Sequence, residues 1–179
     1  MPLITAKPLI YACNVGAEDI VSGGNELSKQ FMAHVESEYP GTPVVTLSVL
    51  LESEIVRARI EEGEAAAKDF MELYGLEESR LDELLEHCSD ILNLQKFYTA
   101  GPACVSSWFV EKGATAPKAA GKIHGDFEKK FICAEVSKVD DWTKYKTEES
   151  LRSGGKMQKH GKDYVMQEND VIVVHHSAK

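Results

Sequence analysis

The sequence lacks the long apolar segments that mark membrane and secreted proteins. Its 179 residues contain no run of about 18 or more apolar residues, so no transmembrane helix is predicted. The first twenty residues have neither the basic start nor the long apolar stretch of a secretory signal. We therefore expect a soluble, cytoplasmic chain that has no membrane partner.

Cysteine is scarce, and its spacing argues against a metal site. The four cysteines form no C-x-x-C pair and show no Cys/His spacing suited to zinc. His175 and His176 are neighbours in a predicted strand, where successive side chains point to opposite faces, so they are not expected to share an ion. We interpret the cysteines as reduced structural thiols and predict no metal site. They are Cys13, Cys88, Cys104 and Cys133.

A phosphate-binding loop is also missing. Phosphoryl transfer needs a glycine-rich loop of backbone N–H groups, a lysine and a hydroxyl group that binds Mg²⁺. No Gly-Lys pair in the chain has the required glycine five residues earlier, and none is followed by Ser or Thr. No Ser/His/Asp or Cys/His arrangement can be assigned either. We predict no catalytic residue and no cofactor bound by this chain alone. The three pairs are Gly121-Lys122, Gly155-Lys156 and Gly161-Lys162.

What the sequence does contain is a sharp break in charge. The net charge is −9, but residues 1–92 hold six basic and eighteen acidic residues, for −12, whereas residues 93–179 hold fourteen and eleven, for +3. Such a break predicts two domains, 1–92 and 93–179. Only the second half is then a plausible binder of polyanions, although a simple solvated surface in both halves is the alternative interpretation.

The N-terminal pattern predicts a βαβ unit. Two short apolar runs, residues 8–13 and 43–48, have the composition and flanking turn residues of buried strands. Between them, apolar residues recur at every fourth position from Asn25 to about Tyr39, which predicts an amphipathic helix. Two strands are too few for a parallel sheet, so we expect the remaining strands to come from another chain or a larger protein. The helix positions are Leu27, Phe31 and Val35.

Residues 52–94 are predicted to be helical and acidic. Ser79 and Asp82 resemble a capping box, and the following helix carries an apolar stripe that we interpret as core. The stripe is formed by Leu81, Leu84, Leu85, Cys88 and Leu92. After Leu94 the pattern changes to short β-like runs separated by glycine-rich turns, which predicts an α+β fold of the β-grasp kind. The runs are 96–100, 105–110, 131–136, 163–166 and 171–175.

Ordered motifs over the whole chain resemble the C-terminal part of the YchF, or Obg-like ATPase, family. They include Phe97-Tyr-Thr-Ala-Gly-Pro102, residues 112–124, Phe131-Ile-Cys-Ala-Glu-Val136, Gly161-Lys-Asp-Tyr-Val165 and the acidic segment Phe70-Met-Glu-Leu-Tyr-Gly-Leu76. The family order is a P-loop domain interrupted by a helical hairpin, its last strands, and then a TGS domain. The resemblance implies that this chain is an incomplete α/β P-loop-type sheet with acidic helices, followed by a TGS domain. ATP and Mg²⁺ belong to the full-length family, and the missing N-terminal part is a possible partner.

The resemblance also implies the base-side edge of a nucleotide site. P-loop GTPases carry Asn-Lys-x-Asp at a strand end, whereas this family carries Asn-x-x-Glu and is taken to favour ATP over GTP. The corresponding residues here are Asn14, Val15, Glu18 and Ser48. The fourth motif position is Ala17, with the glutamate one place later, and Val49-Leu50 replace the usual small residues. The alternative interpretation is that Asn14 caps a turn and Ser48 starts a helix.

For the second half, the resemblance implies docking on ribosome or RNA. Basic and aromatic side chains should form the surface in and before a predicted loop that precedes the strand at Phe131. They are Lys118, Lys122, His124, Lys129 and Lys130. Ser106-Ser107 stand where relatives commonly have Arg-Ala, so one expected basic side chain is absent. A free-standing β-grasp protein-interaction module with no nucleotide role is the alternative function.

Overall fold

A computed structural model describes residues 3–101 and 104–177, and the fold is α+β. The chain divides into two compact units, one ending at Ile91 and the other beginning at Leu92. Within the described residues, no helix is both long and apolar enough to cross a bilayer. Each unit is described by itself below.

The first unit combines a two-stranded parallel sheet with five α-helices among its described residues. Strands β1 and β2 pair in parallel from Tyr11 opposite Val44 to Asn14 opposite Leu47, which confirms the predicted βαβ unit. The helix α2 begins after Asn25, whose Oδ1 accepts the Ser28 N–H at 3.0 Å. After a 3₁₀ turn at Ile4–Ala6, the elements are β1 (Tyr11–Asn14), α1 (Ala17–Ile20), α2 (Glu26–Glu38), β2 (Val44–Leu47), α3 (Val49–Glu61), α4 (Glu64–Leu73) and α5 (Arg80–Ile91).

Burial in the first unit differs from what the sequence pattern predicts. The expected buried strand at 8–13 is wrong in two respects, because β1 begins only at Tyr11 and its residues are exposed or half-buried. On α2, Val35 is buried but Leu27 is 77% exposed. Among the described residues β1 has one strand neighbour, so its second edge and much of its surface have no cover. A pattern of apolar residues predicts the element, whereas burial depends on what packs against it.

The core of the first unit lies between the helices. Leu51 and Ile55 on α3 are four residues apart, so they share one face, and they pack against residues of α1 and α4. Helix α5 has no fully buried residue, and Leu85 and Leu92 are 51% and 64% exposed. The prediction that its apolar stripe is core is therefore wrong for Leu85 and Leu92, whereas Leu81, Leu84 and Cys88 are half-buried. The buried cluster is Ile20, Leu51, Ile55, Ala67, Met71 and Leu76.

A carboxylate from α3 caps the start of α5. The buried Glu52 accepts the Ser79 hydroxyl at 2.5 Å and the Arg80 N–H at 2.9 Å. Ser79 Oγ in turn accepts the Leu81 N–H at 3.1 Å, so Ser79 does cap the helix as predicted. The acidic member of the cap is Glu52, not the expected Asp82. A negative charge at a helix N-terminus is favourable, and this one also links α3 to α5.

The second unit is a five-stranded mixed sheet with strand order β4-β3-β7-β5-β6. The two central contacts are the parallel pair β3–β7 and the antiparallel pair β5–β7. Strands β4 and β6 lie at the two edges, where each pairs antiparallel with its single neighbour. The elements are β3 (Leu94–Ala100), β4 (Val105–Glu111), α6 (Ala116–Ile123), α7 (Gly125–Lys129), β5 (Phe131–Lys138), α8 (Val139–Tyr145), α9 (Glu148–Ser153), β6 (Gln158–His160) and β7 (Asp170–His176).

Helix α6 covers one face of this sheet. Its inward side chains are alanines, which let the helix approach the sheet closely; Ala116, Ala119 and Ala120 are all fully buried. Against them pack Phe97 of β3 and Ile172 of β7, which are also fully buried. The remaining buried members of this core are Val110, Ala114, Phe131, Ala134, Val136 and Met166.

Two sequence predictions for the second unit are wrong. The run 163–166 is not a strand, since it contributes only an isolated bridge between Thr115 and Val165. The predicted loop before Phe131 contains the short helix α7, which begins after His124 because the ring Nδ1 accepts the Asp126 N–H at 3.2 Å. Histidine is not among the usual N-cap residues, so the sequence carried no strong helix-start signal.

Candidate functional site

Asn14 lies at the carboxyl end of β1, and its side chain links that strand to the start of α3. Its Oδ1 accepts the Val49 N–H at 3.0 Å, and the adjacent Val15 N–H donates to the Leu47 carbonyl at 3.0 Å. The side chain of Asn14 is exposed. Because Oδ1 accepts the Val49 N–H, the NH₂ group is the part of this exposed side chain that can donate to a ligand.

Val15 and Glu18 occupy the turn and the short helix that follow β1. The Val15 side chain packs against the core, as does that of Ala17, so these residues present backbone groups at the site and not side chains. Glu18 is exposed, and its carboxylate lies over Gly16, where an added Cβ would come within 2.7 Å of Oε1. The Glu18 carboxylate therefore lies against the backbone of Gly16, and the turn after β1 separates it from the end of the strand.

Ser48 acts as a helix cap. It is 2% exposed, and its Oγ accepts the Leu51 N–H at 3.5 Å at the start of α3. This geometry agrees with the interpretation that Ser48 starts a helix. The next two residues, Val49 and Leu50, are 54% and 68% exposed, and the backbone N–H of Val49 is the group that contacts the Asn14 amide. The sequence identified these two residues only as departures from the family pattern, and the structure shows that both are exposed apolar residues in the first turn of α3.

The end of the β1–β2 sheet therefore combines an oriented amide with an exposed apolar surface. An asparagine amide can pair with the adjacent acceptor and donor of an adenine edge, and its carbonyl oxygen has a second lone pair for this purpose. Apolar side chains beside it suit the face of a planar ring. Asn14, Val15 and Ser48 converge at this end, whereas Glu18 lies beyond the turn.

The second set of predicted site residues lies on α6 and α7. Lys118 and Lys122 are four residues apart on one face of α6 and line a shallow cleft of about 470 Å³. The cleft is of mixed charge, because Glu111 and Glu128 line it too. Lys122 Nζ lies 3.0 Å from Glu111 Oε1. A backbone hydrogen bond, and then Lys122 and Lys118, lower the pKa of Glu111 below its ordinary value.

His124, Lys129 and Lys130 belong to the second part of this surface. The His124 ring lies 5.3 Å from that of Phe127, which stacks at 4.4 Å on the ring of His176. Lys130 Nζ lies 3.8 Å from the Asp126 carboxylate, and the side chain of Lys129 is exposed. This group of three rings was not predicted, since His176 comes from the far end of the sequence; the His124 ring is tilted by 44° to that of Phe127, and only Phe127 and His176 are stacked.

Two further features concern metal binding and the orientation of His175 and His176. In the ranges 3–101 and 104–177, no three His, Cys, Asp or Glu side chains are grouped to hold a metal ion. His175 and His176 point to opposite faces of β7, as predicted: His175 approaches Glu135 at 3.6 Å, and His176 stacks on Phe127.

Comparison with known proteins identifies the family. A family model described as YchF-GTPase_C, a protein of unknown function (DUF933), matches residues 94–177. Obg-like ATPase 1 of Xenopus laevis is 36% identical over 94% of this chain, and the ribosome-binding ATPase YchF of Escherichia coli O157:H7 is 37% identical over 96%. The chain belongs to the Obg-like ATPase, or YchF, family and corresponds to its C-terminal part.

A solved structure extends this relationship to the fold of the YchF family. The structure of the Schizosaccharomyces pombe YchF GTPase superimposes with a TM-score of 0.78 at 32% identity, covering 96% of this chain and 44% of that one. The chain spans 41% of the Xenopus protein and 45% of the E. coli protein, which is less than half the length of either relative. The match includes both units, so the β1–β2 sheet end is part of what this chain shares with the family.

Proposed function

We propose that this chain supplies two binding elements of an Obg-like ATPase and has no catalytic activity alone. The first is the base-side edge of the nucleotide site, and the second is a TGS domain that docks on ribosome or RNA. ATP and Mg²⁺ would be held mainly by a P-loop, which this sequence does not contain. The setting we propose is cytoplasmic, in keeping with relatives that are named ribosome-binding ATPases.

The orientation of Asn14 is the observation that supports the base-side role. A hydrogen bond of 3.0 Å to the Val49 N–H holds the amide at the end of a parallel strand. Ligands of open α/β sheets bind beyond the carboxyl ends of the strands, which is where Asn14 stands. Val15, Glu18 and Ser48 complete the proposed edge through backbone groups, a nearby carboxylate and the cap of α3.

A preference for ATP over GTP is part of the proposal. Guanine presents two N–H donors to a carboxylate, whereas adenine offers one donor and one acceptor, which an amide matches better. Ala17 occupies the position where GTPases have the aspartate, and its side chain packs toward the core. A carboxylate is therefore absent from the fourth motif position, and the Asn14 amide remains as the polar side chain at the strand end.

A chimera tests the base-side role. In it, this chain replaces the matching C-terminal segment of the E. coli relative, and ATP and GTP affinities are measured by calorimetry. Asn14→Ala is expected to weaken ATP binding about tenfold or more, because a lost pair of hydrogen bonds to a base is worth about 1–3 kcal/mol. Asn25→Ala, which removes a helix cap elsewhere in the same unit, is the control. Equal ATP affinity in the two variants would refute the role, and ATP turnover by the purified chain with Mg²⁺ would refute the absence of catalysis.

The strand order of the second unit supports its assignment as a β-grasp TGS domain. The five strands have the order β4-β3-β7-β5-β6, and α6 packs on one face of the sheet. The first and last strands of the unit, β3 and β7, pair in parallel near the centre. Two relatives of this chain, from E. coli and Haemophilus ducreyi, are named ribosome-binding ATPases. From these names we infer that the second unit contributes to ribosome docking.

The proposed docking surface is the α6–α7 face. Lys118 and Lys129 carry exposed side chains there, whereas Lys122 and Lys130 are engaged with carboxylates. These lysines would present cations to RNA, and the His124 ring lies beside that of Phe127, which stacks on His176. The paired acidic residues mean that only part of the formal charge is available to phosphates, so the expected binding is weak and sensitive to salt.

Co-sedimentation with purified bacterial ribosomes tests this surface. The double variant Lys118→Ala/Lys129→Ala is expected to bind less, and the slope of log K against log salt should fall by about 0.7–0.9 for each lost phosphate contact. Lys29→Ala/Lys68→Ala removes two exposed lysines from the acidic unit and is the matched control. Binding that is unchanged in the first double variant would contradict the assignment. Binding to a protein partner without ribosome binding would favour the interaction-module alternative.

A further inference from the structure

The two edges of the five-stranded sheet are protected to different degrees. Strand β6 at one edge has only three residues and carries Lys159. Strand β4 at the other edge has seven residues, Val105–Glu111, and none of the first six is charged. Natural proteins keep edge strands short, charged or covered, because their free N–H and C=O groups pair with other chains. Among the described residues, β4 pairs only with β3.

The hydrogen-bonding register shows which backbone groups of β4 are free. The Gly101 N–H donates to the Cys104 carbonyl at 3.0 Å and the Lys112 N–H donates to the Asn93 carbonyl at 2.8 Å, at the two ends of the β3–β4 pair. Hydrogen-bonded and non-hydrogen-bonded pairs alternate between these ends. The N–H and C=O groups of Val105, Ser107 and Phe109 are therefore directed away from β3, toward the open edge.

The side chains of the same three residues lie on one exposed face. Val105 is 71% exposed and Phe109 is 42% exposed, with the small Ser107 between them. On the opposite face, Ser106 precedes the larger Trp108. The two apolar residues of the exposed face thus lie at equal distances on either side of Ser107, so an antiparallel copy of the strand can place them opposite one another.

We propose that β4 pairs with β4 of a second copy of this chain, antiparallel and about a two-fold axis at Ser107, so that two five-stranded sheets become one sheet of ten strands. In this register Val105 of each copy lies opposite Phe109 of the other, and Ser107 lies opposite Ser107. On the second face, Trp108 lies opposite Ser106. A two-fold interface repeats each contact that lies off the axis, so the Val105–Phe109 and Trp108–Ser106 pairs each occur twice.

Charge disfavours the registers that are shifted toward the C-terminal end of β4. Moving the two-fold axis by one residue, to Trp108, would place Glu111 opposite Val105, and an axis at Phe109 would place Glu111 opposite Ser107. Only the axis at Ser107 pairs both apolar residues with apolar residues. Ser106 and Ser107 are both uncharged, so the middle of this edge carries no charge that would oppose pairing.

The predicted dimer is weak. A single strand–strand contact buries less than the roughly 1,000 Å² that a stable interface requires. We therefore expect a micromolar dissociation constant and a concentration-dependent equilibrium. This inference concerns the edge of the second unit and is independent of the nucleotide and ribosome proposals.

Sedimentation velocity of the full chain over a concentration series tests the proposal. Ser107→Pro removes an outward-facing N–H without disturbing the β3–β4 hydrogen bonds, and Val105→Lys places a charge at both ends of the interface. Each is expected to weaken self-association at least tenfold. Circular dichroism verifies that each variant is folded. If Ser107→Pro does not fold, Val105→Lys still tests the interface.

The matched control is Ala12→Lys, which adds the same charge to the exposed strand β1 of the other unit. Self-association should be unchanged in this variant. Hydrogen exchange adds a local measurement, since the amides of Val105, Ser107 and Phe109 should become protected as concentration rises. A monomer at every concentration would overturn the proposal. So would a dimer that tolerates both β4 substitutions or one that is lost only in Ala12→Lys.

Discussion

The two units of this chain bury their apolar residues to different extents. The second unit closes its core between a five-stranded sheet and α6, with Phe97 and Val110 fully buried. The first unit has a sheet of two strands, and it leaves Leu27, Ile60 and Leu73 at least 77% exposed. Both units match their relatives, but similarity in sequence does not mean that each unit buries enough apolar surface to be stable alone. Stability should therefore come mainly from the second unit.

Separating the units should give the largest effect. A fragment of residues 92–179 is expected to unfold cooperatively in urea, at roughly 0.05–0.15 kcal/mol per residue, because it contains its complete core. A fragment of residues 1–91 should lack a cooperative transition or aggregate, since two strands and exposed apolar side chains do not make a stable sheet. Circular dichroism and light scattering measure both. If the fragment 1–91 were as stable as the fragment 92–179, the conclusion that stability comes mainly from the second unit would be wrong.

A pair of aromatic substitutions compares the units one side chain at a time. Phe97→Ala in the second unit should lower the free energy of unfolding by about 3–5 kcal/mol, because the ring is fully buried. Phe31→Ala in the first unit should cost about 1 kcal/mol, because this ring is 37% exposed and contacts Tyr11 edge-on at 5.2 Å. Urea denaturation of the two full-length variants gives the values. Equal losses would mean that the units are equally packed.

Local features of the fold were predictable from sequence, and burial was not. The strands and helix of the βαβ unit follow from periodicity within short segments, and Asn25 marked the start of α2. The exposure of Leu85 on α5 depends on what covers the helix, which periodicity does not contain. In the same way, Glu52 replaced Asp82 at the cap of α5 because tertiary contact brought a better-placed carboxylate.

The candidate site was predictable to a similar degree. The motif located Asn14 at a strand end, and parallel pairing explains why it meets residues 35 positions later. Two contacts of the site join residues from separate elements: the Lys122–Glu111 ion pair and the stacking of His176 on Phe127. A local sequence pattern does not predict such contacts. Charge counting alone therefore overstated how many of the five candidate basic residues are free to bind phosphates.

The smallest effect we expect comes from a polar cluster around Asp170 in the second unit. Asp170 is fully buried, and its carboxylate accepts the Tyr164 hydroxyl at 2.8 Å, the Gln167 N–H at 2.9 Å and Lys138 Nζ at 2.6 Å. Burial, and then the hydrogen bond to Asp170 and its negative charge, raise the pKa of Tyr164 far above its ordinary value of 10.0. A phenol next to a carboxylate resists ionisation because two negative charges would then share one site.

A raised pKa in the folded state favours folding while the phenol stays protonated. This contribution is fully present below the ordinary tyrosine pKa of 10.0 and is lost as the pH rises above it, because only the unfolded chain then readily releases the proton. The free energy of unfolding should therefore fall as the pH is raised beyond about 10. Tyr164→Phe should show a shallower fall, and an ultraviolet titration should show one tyrosine that ionises last. Identical pH dependence in the two proteins would show that the Tyr164–Asp170 contact does not help to stabilise the second unit.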